Sequence, residues 1–307
     1  MPAGGKLHRP GRLMVLWAVL ALLGWGCGGE DGGSAPPATG RPPATADPAL
    51  PSFAAGTTMR ALQERGRLVV GTKFDQPLFG GRNPVTGAVE GFDVEIAKLM
   101  ARGIFGDNID GKVQFVETVS RDRESAIVDG RVDIVVATYS ITAERRRLVD
   151  FAGPYYMAGQ DILVRRDEAS ILRVDDLNGR RVCAVEGSTS LEVIRARAPR
   201  ADVSITYDRY SQCADALLAG RVDAVTTDNT ILLGIVKEHP GQLKLVNDPF
   251  TVEPYGIGLR RGDTAFRSFL NDRLEHTFAN GDWKRAFEAT VGHAGEPAPR
   301  PPRIERS

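Results

Sequence analysis

Gly130-Arg-Val-Asp-Ile-Val135 and Gly220-Arg-Val-Asp-Ala-Val225 are the stretches that decide the fold, because they agree at five of six positions. Each follows a short helical pattern, reads as a buried strand and leads into a polar turn. We interpret them as equivalent corners of two similar α/β lobes, each presenting a polar loop at the carboxyl end of its sheet. Open α/β sheets bind ligands at that edge. A chance match between two helix-turn-strand corners is the alternative.

Strand and helix patterns alternate on both sides of these corners. Apolar runs bounded by glycine and polar clusters indicate strands, and apolar residues at helical spacing indicate the helices between them. The first lobe is predicted to contain strands over 67–71, 112–117 and 132–137, helices over 91–102 and 123–128, and a helix beginning at Thr142. The second is predicted to contain strands over 181–185, 203–207 and 221–226, a helix beginning at Thr189 and a helix over 213–219. The alternation predicts βαβ units and mostly parallel sheets.

An amphipathic pattern near the C-terminus predicts a long helix over 263–280. Asn280-Gly281 ends it, since glycine readily adopts the conformation that closes a helix. The one strand near it is 256–260, so we expect this segment to pack back on the first lobe. The chain would then cross between the lobes twice. We predict lobe 1 from 57–157 plus 252–292, lobe 2 from 161–247, and a hinge from 158–160 and 248–251.

The N-terminus has the pattern of a secretory signal peptide over 1–26. A basic start precedes the apolar run Leu13–Gly26, which is shorter than the roughly 20 residues that span a bilayer. Cys27 follows at once, as in bacterial lipoproteins, where this cysteine is lipidated and becomes the new N-terminus. Residues 27–56 read as a disordered linker and 293–307 as a disordered tail. An ordinary cleaved signal or an uncleaved anchor is the alternative.

Charge and cysteine content bear on the function class. Lys plus Arg and Asp plus Glu both number 39, so the formal net charge is zero, and no basic stripe indicates nucleic-acid binding. The four histidines show no metal-ligand spacing with cysteine, so we expect no metal and no other cofactor. With Cys27 assigned to lipid, Cys183 and Cys213 remain as an even pair in an exported protein. This favours a disulfide, with two buried thiols as the alternative.

A series of motifs resembles those of the family 3 extracellular solute-binding proteins, over about residues 60–292. The markers are Gly91-Phe-Asp-Val-Glu-Ile-Ala97, Gly130-Arg-Val-Asp133, Ser140-Ile-Thr-Ala-Glu-Arg145, Phe151-Ala-Gly-Pro-Tyr-Tyr156, Gly187-Ser-Thr189 and Gly220-Arg-Val-Asp-Ala-Val-Thr-Thr-Asp228. Val70-Gly-Thr-Lys-Phe-Asp-Gln-Pro77, the cysteine pair and Thr227-Asp-Asn-Thr-Ile-Leu232 are similar to glutamate/glutamine-type binding lipoproteins of actinobacteria. The resemblance implies an α/β, periplasmic-binding-protein-like fold (type II), with two α/β lobes joined by a two-strand hinge.

The resemblance also implies a receptor for a free amino acid, whose α-carboxylate and α-ammonium must be paired once they leave water. Arg145 matches the arginine of the family's T-x-x-R motif and offers a planar, two-pronged donor to the carboxylate. Ser188 and Thr189, at a predicted helix N-terminus, would add hydroxyl and backbone N–H donors. An ordinary surface position is the alternative for Arg145.

The ammonium requires a carboxylate and neutral acceptors. Asp228, at the end of the second repeat strand, supplies the carboxylate, and Ser140 and the Thr138 backbone supply the acceptors at the equivalent corner of the first lobe. A helix cap before Asn229 is the alternative for Asp228.

Two cations are expected to select the ligand's side chain. Lys73 stands where binders of basic amino acids in this family carry an acidic residue, and Arg123 matches an arginine of dicarboxylic-amino-acid binders. With Arg145 and Asp228 the proposed site carries a net charge of about +2, which favours glutamate or aspartate, with glutamine and asparagine as the alternatives. A Lys73 that extends to solvent, or Arg121 in place of Arg123, is the alternative.

Three aromatic residues, Phe74, Tyr139 and Tyr255, are candidate walls of the cleft, with core or hinge packing as the alternative. The expected function is binding by hinge closure, as a monomer anchored to the cell membrane, with delivery to an ABC permease. A sensor domain that signals to a membrane receptor is the alternative. An enzyme of the cyclodehydratase type is disfavoured, because no histidine lies in the proposed ligand loops and Glu186 is the one weak acid-base candidate.

Overall fold

The computed structural model describes residues 50–306. The predicted signal peptide over 1–26, the predicted lipidation site Cys27 and residues 27–49 of the predicted linker lie outside the described residues. Within 50–306, no helix combines the length and the apolar character needed to cross a membrane.

The first of two five-stranded sheets contains strands from both ends of this range. Its strands are β1 (Leu68–Thr72), β5 (Val113–Glu117), β6 (Ile134–Val135), β7 (Val149–Ala158) and β13 (Glu253–Arg260), in the order β5-β1-β6-β13-β7. β1 runs parallel to both neighbours, whereas β13 runs antiparallel to β6 and β7. The sheet is therefore mixed, in contrast to the mostly parallel prediction. The chain leaves along β7 and returns along β13, so these two strands run in opposite directions.

Five helices belong to this sheet, and we call the whole assembly lobe 1. They are α1 (Thr58–Arg65), α2 (Phe92–Phe105), α3 (Arg123–Val128), α7 (Thr264–Asn280) and α8 (Asp282–Glu288). The buried face of α7 joins the same apolar core as α2 and β1. α7 ends at Gly281, whose φ of 81° is the left-handed conformation that glycine adopts without steric cost. The segment between β1 and α2 forms a small sheet of β2 (Asp75–Gln76), β3 (Gly80–Arg82) and β4 (Val89–Glu90).

The second sheet and its helices form lobe 2. Its strands are β8 (Gln160–Arg165), β9 (Val182–Val185), β10 (Thr206–Tyr207), β11 (Ala224–Asp228) and β12 (Leu243–Leu245), in the order β10-β9-β11-β8-β12. Its helices are α4 (Thr189–Arg197), α5 (Tyr210–Leu218) and α6 (Asn229–Glu238). A disulfide joins Cys183 in β9 to Cys213 in α5, as predicted.

The two repeats occupy equivalent places in the two sheets. Asp133 accepts a hydrogen bond from the backbone N–H of Val69 (2.7 Å), and Asp223 accepts one from the backbone N–H of Arg181 (2.9 Å). Each aspartate therefore fastens its corner to the strand beside it. Gly130 and Gly220 share a φ of 69°. This shared geometry favours equivalent lobe corners over coincidence.

Two regions differ from the predictions. The helix expected to begin at Thr142 is only a single 3₁₀ turn, Arg145–Arg147, because β7 begins at Val149 and leaves no room for further turns. The tail over 293–307, expected to be disordered, lies against lobe 1 where it is described. The backbone N–H of Glu305 donates to the carbonyl of Gly153 (2.8 Å), and Ile304 packs on the lobe 1 core.

Candidate functional site

A small cavity lies between the two lobes, where the repeat strands β6 and β11 end. Its volume is about 10 Å³, and it is lined by Gln76, Ser120, Arg123, Thr138, Ser140, Ser188, Thr189, Ser190, Tyr210, Thr227, Asp228 and Ile231. Six of the eight residues predicted to bind ligand line this cavity, and they come from both lobes: Arg123, Thr138 and Ser140 from lobe 1, and Ser188, Thr189 and Asp228 from lobe 2. This space holds no more than about one water molecule, so an amino acid enters only when the residues of the wall move apart.

Asp228 contributes a buried carboxylate that is half satisfied. Its Oδ2 accepts a hydrogen bond from the Tyr255 hydroxyl (2.6 Å), and its Oδ1 has no hydrogen-bond partner in the described part of the chain. Asp228 stands at the N-terminus of α6, but its side chain makes no capping bond, so the helix-cap alternative is not what the structure shows. Burial raises the pKa of Asp228 to about 7, and nearby Glu253 adds to the rise. A buried, unpaired carboxylate oxygen is costly unless a cation approaches it.

Two guanidinium groups of lobe 1 meet beside the cavity, whose wall includes Arg123 but not Arg145. Arg123 and Arg145 both donate to the carbonyl of Gly187, at 3.4 and 3.2 Å. Both also lie over the ring of Tyr139, with their central carbons 4.4 and 5.0 Å from its centroid. Arg145 additionally donates to the carbonyl of Ser140 (2.8 Å). Both guanidinium groups are thus buried and are held by carbonyl oxygens and an aromatic face.

Lys73 is buried, with 2% of its surface exposed, so it does not extend to solvent. Its ammonium donates to the Ser120 hydroxyl (2.8 Å), and Ser120 lines the cavity. Burial lowers the pKa of Lys73 to about 7, and repulsion from Arg123 adds to the effect. A buried ammonium held by one hydroxyl would be stabilised by an incoming carboxylate.

Thr138 forms the turn after β6 and depends on a residue that the sequence analysis did not select. Its φ of 44° is unusual for a residue with a side chain. Its backbone N–H donates to Asp93 (2.8 Å), which also accepts from the Tyr155 hydroxyl (2.6 Å). Asp93 lies within the quoted Gly91-Phe-Asp motif, so the motif contained the residue but not its role.

Ser188 and Thr189 lie at the start of α4, as predicted, with different tasks. The Ser188 hydroxyl donates to the carbonyl of Val185 (2.6 Å) and accepts from the backbone N–H of Leu191 (3.1 Å), so it caps the helix. Ser188 is therefore the capping residue, and α4 begins at Thr189 as predicted. The Thr189 hydroxyl donates across to Glu253 of lobe 1 (3.2 Å).

The three candidate wall residues occupy different places. Phe74 lies at the rim, where Arg82 stacks on it at 4.3 Å, and it lines a wider groove outside the cavity. Tyr139 is buried behind the two arginines. Tyr255 is buried and reaches Asp228 through its hydroxyl. Arg121, the alternative to Arg123, is exposed and pairs with Asp208.

Two carboxylates lie closer to this site than sequence order suggested. Glu124 lies 3.3 Å from the Nε of Arg145, and Glu253 raises the pKa of Asp228. They offset the predicted net charge of about +2. Within residues 50–306, no group of three or more His, Cys, Asp or Glu side chains could hold a metal ion.

The sequence is similar to those of known solute-binding proteins. The model of the bacterial extracellular solute-binding proteins, family 3, matches residues 68–293. The ABC transporter glutamine-binding protein GlnH of Bacillus subtilis (strain 168) is 39% identical over 235 residues, covering 76% of this chain and 84% of that protein. The glutamate-binding protein GluB of Corynebacterium efficiens is 38% identical over 245 residues, covering 77% and 83%.

Solved structures show the same fold. An ancestral arginine-binding protein bound to glutamine superposes with a TM-score of 0.68 at 36% identity, covering 74% of this chain and 99% of that one. An ancestral amino acid-binding protein described as a precursor of cyclohexadienyl dehydratase gives 0.69 at 31% identity, covering 76% and 99%. The chain belongs to the bacterial extracellular solute-binding proteins of family 3.

Proposed function

We propose that this protein binds a free polar amino acid between its lobes, with glutamate and aspartate preferred, and delivers it to an ABC importer. The unpartnered Oδ1 of Asp228 carries the proposal. An α-ammonium at this oxygen would complete the hydrogen bonding of a buried carboxylate and favour its charged form. The relatives named above as glutamine- and glutamate-binding proteins support the ligand class.

The α-carboxylate would lie on the opposite side of the cavity. Arg123 and Arg145 already converge on one neutral acceptor, the carbonyl of Gly187. A carboxylate that replaces this carbonyl would receive charge-assisted hydrogen bonds from both guanidinium groups. The N-terminus of α4, beginning at Thr189, adds favourable partial charge.

Lys73 supports the preference for an acidic side chain. Its ammonium is buried and is held by the Ser120 hydroxyl. A side-chain carboxylate near Ser120 would satisfy this ammonium, whereas an amide oxygen would satisfy it less and a second cation would be repelled. This local ammonium, and not the net charge, favours an acidic side chain, since Glu124 and Glu253 offset the net charge.

Hinge closure is the motion that the proposal requires. The chain passes between the sheets only from β7 to β8 and from β12 to β13 within the described residues, and two such connections can serve as a hinge.

Membrane anchoring completes the proposal. A lipid on Cys27 would hold the receptor at the membrane beside its permease. Replacement of Cys27 by alanine would then release the protein into the soluble fraction of producing cells.

Calorimetric titration with glutamate, aspartate, glutamine and arginine tests the ligand preference. We expect the tightest binding for one of the two acidic amino acids, weaker binding of glutamine and no measurable binding of arginine. Preferred binding of arginine would contradict the role of Lys73. No binding of any of the four would contradict the proposed function.

A further inference from the structure

The junction between β10 and α5 of lobe 2 lies against lobe 1 at three successive residues. Asp208 pairs with Arg121, and Arg209 donates to Glu117 (2.7 Å). The backbone N–H of Tyr210 donates to Asp75 (2.7 Å). The Arg121–Asp208 pair is exposed and the Arg209–Glu117 pair is half-buried, and ion pairs at the surface contribute little to stability. The contact of Asp75 with a helix end is of a different kind.

Asp75 supplies the cap that α5 lacks in its own sequence. Arg209 is the N-cap residue of α5 and has no side-chain acceptor to offer the first N–H groups of the helix. Oδ2 of Asp75 accepts from Tyr210, at the first position of the helix, and more weakly from Ser211 (3.5 Å). The capping carboxylate therefore comes from the other lobe, and its negative charge also suits the positive end of the helix dipole.

A second helix of lobe 2 meets the same segment. Gly234, inside α6, lies so close to Pro77 that an added Cβ would overlap the Pro77 carbonyl oxygen. Residues 75–77 of lobe 1 thus contact both α5 and α6 of lobe 2. The segment begins two residues after Lys73, so one short stretch of lobe 1 carries both a proposed ligand contact and the contact with lobe 2.

We infer that Asp75 is a positioning residue that latches the lobes together without touching the ligand. The inference rests on the proposed function, since it requires lobes that open and close. When the lobes separate, the first N–H groups of α5 no longer reach Asp75 and donate to water instead. When they close, the cap forms and slows ligand release. Tyr210 lines the cavity and the disulfide joins α5 to β9, so the capped helix also belongs to the ligand site.

Two substitutions at Asp75 separate the cap from the charge. Asp75→Ala removes the acceptor, whereas Asp75→Asn keeps a side-chain oxygen and loses the charge, and asparagine caps helices as well as aspartate does. We expect Asp75→Ala to dissociate about fivefold faster from the tightest-binding amino acid, with little change in association rate, and Asp75→Asn to stay within about twofold of wild type. Asp129→Ala, on an exposed acid that pairs within lobe 1 with Arg131, is the matched control.

Gly234→Ala gives a second, independent variant. An added methyl group would hold α6 away from Pro77, so we expect dissociation about fivefold faster or more, as overpacking predicts. In the ligand-free protein the same change favours the helix, so its melting temperature should not fall. Lower affinity without lower stability is the signature of a defect in closure. Lower affinity together with a lower melting temperature would contradict this reading of Gly234.

Amide hydrogen exchange at Tyr210 tests the latch separately from the ligand's identity. Calorimetric titration of the wild-type protein with the four amino acids tests the proposed function, independently of the latch. Exchange is measured with and without each of them, and Tyr210 should be better protected in wild type and Asp75→Asn than in Asp75→Ala. Equal exchange in wild type and Asp75→Ala under every condition would overturn the latch. Asp75→Asn exchanging as fast as Asp75→Ala would overturn the capping role.

Discussion

Asp228 is the residue on which ligand recognition depends most. Replacement by asparagine keeps the acceptor for the Tyr255 hydroxyl but removes the charge that the α-ammonium needs. We expect Asp228→Asn to weaken amino-acid binding at least about 30-fold, since breaking a buried charge pair costs about 2–5 kcal/mol. Calorimetry measures the loss, with Asp129→Asn as the exposed control.

The same variant should stabilise the ligand-free protein in a pH-dependent way. Burial raises the pKa of Asp228 from 3.8 to about 7, so the folded state favours the protonated form. The stability from this protonated carboxyl is present below pH 4 and is lost as the pH rises through 7. Asp228→Asn should therefore raise the melting temperature more at pH 8 than at pH 5. An equal effect at both values would show that Asp228 is not buried in the free protein.

Because of Lys73, the dependence of affinity on pH should differ between glutamate and glutamine. Its pKa is lowered to about 7 by burial, so the ammonium is lost above this pH, while Asp228 becomes protonated below it. Glutamate affinity should therefore peak near pH 7 and fall on both sides. Glutamine, with a neutral side chain, should show a weaker fall on the alkaline side. Titrations from pH 5.5 to 8.5 on wild type and Lys73→Met test this, and the variant should lose the alkaline fall. Identical profiles for the two ligands would exclude a role of Lys73 in side-chain selection.

The residues around the site differ in how well sequence could find them. Arg123, Ser140 and Asp228 line the cavity; Ser140 and Asp228 were selected at the ends of the repeat strands, and Arg123 by its match to relatives in the family. Glu253 comes from a strand that returns late in the chain, and Asp93 acts through the N–H of Thr138. Such contacts depend on the tertiary arrangement, which local periodicity does not contain.

Helices and strands could be predicted where the sequence pattern that determines them lies within a single segment. The helix predicted over 263–280 is α7, because its apolar spacing, the Asp263 cap and Gly281 all act within the segment. The antiparallel pair of β7 and β13 was not anticipated as a sheet-forming pair, since its partners are about a hundred residues apart. The β2–β4 sheet was also missed, because its strands are two or three residues long.

The C-terminal segment was misjudged because its composition resembles a linker while its contacts are specific. Arg306 pairs with Asp272 (2.7 Å), and Ile304 packs on the lobe 1 core. Deletion of residues 300–307 should remove about 1–2 kcal/mol of stability and lower the melting temperature by about 2–6 °C. Calorimetric affinity should stay unchanged, since the segment does not line the cavity. Arg306→Ala alone should have a smaller effect, because its ion pairs are exposed. If deletion of residues 300–307 caused no loss of stability, the segment would behave as the disordered tail that the sequence predicts.

At the scale of the whole molecule, the two lobes meet through a few polar contacts around a small cavity. The aspartates of the two repeats fasten equivalent corners, and the cavity lies where both corners end. The sequence could predict this arrangement because the repeat marks both lobes. It could not predict how close the lobes come, since the approach of Gly234 to Pro77 depends on the packed positions of both.

A crystal structure of the protein with glutamate tests the central claim most directly. The account predicts the α-ammonium within hydrogen-bond distance of Oδ1 of Asp228, the α-carboxylate on Arg123 and Arg145, and the side-chain carboxylate near Lys73. A glutamate bound outside this cavity, or one whose ammonium lies away from Asp228, would contradict it.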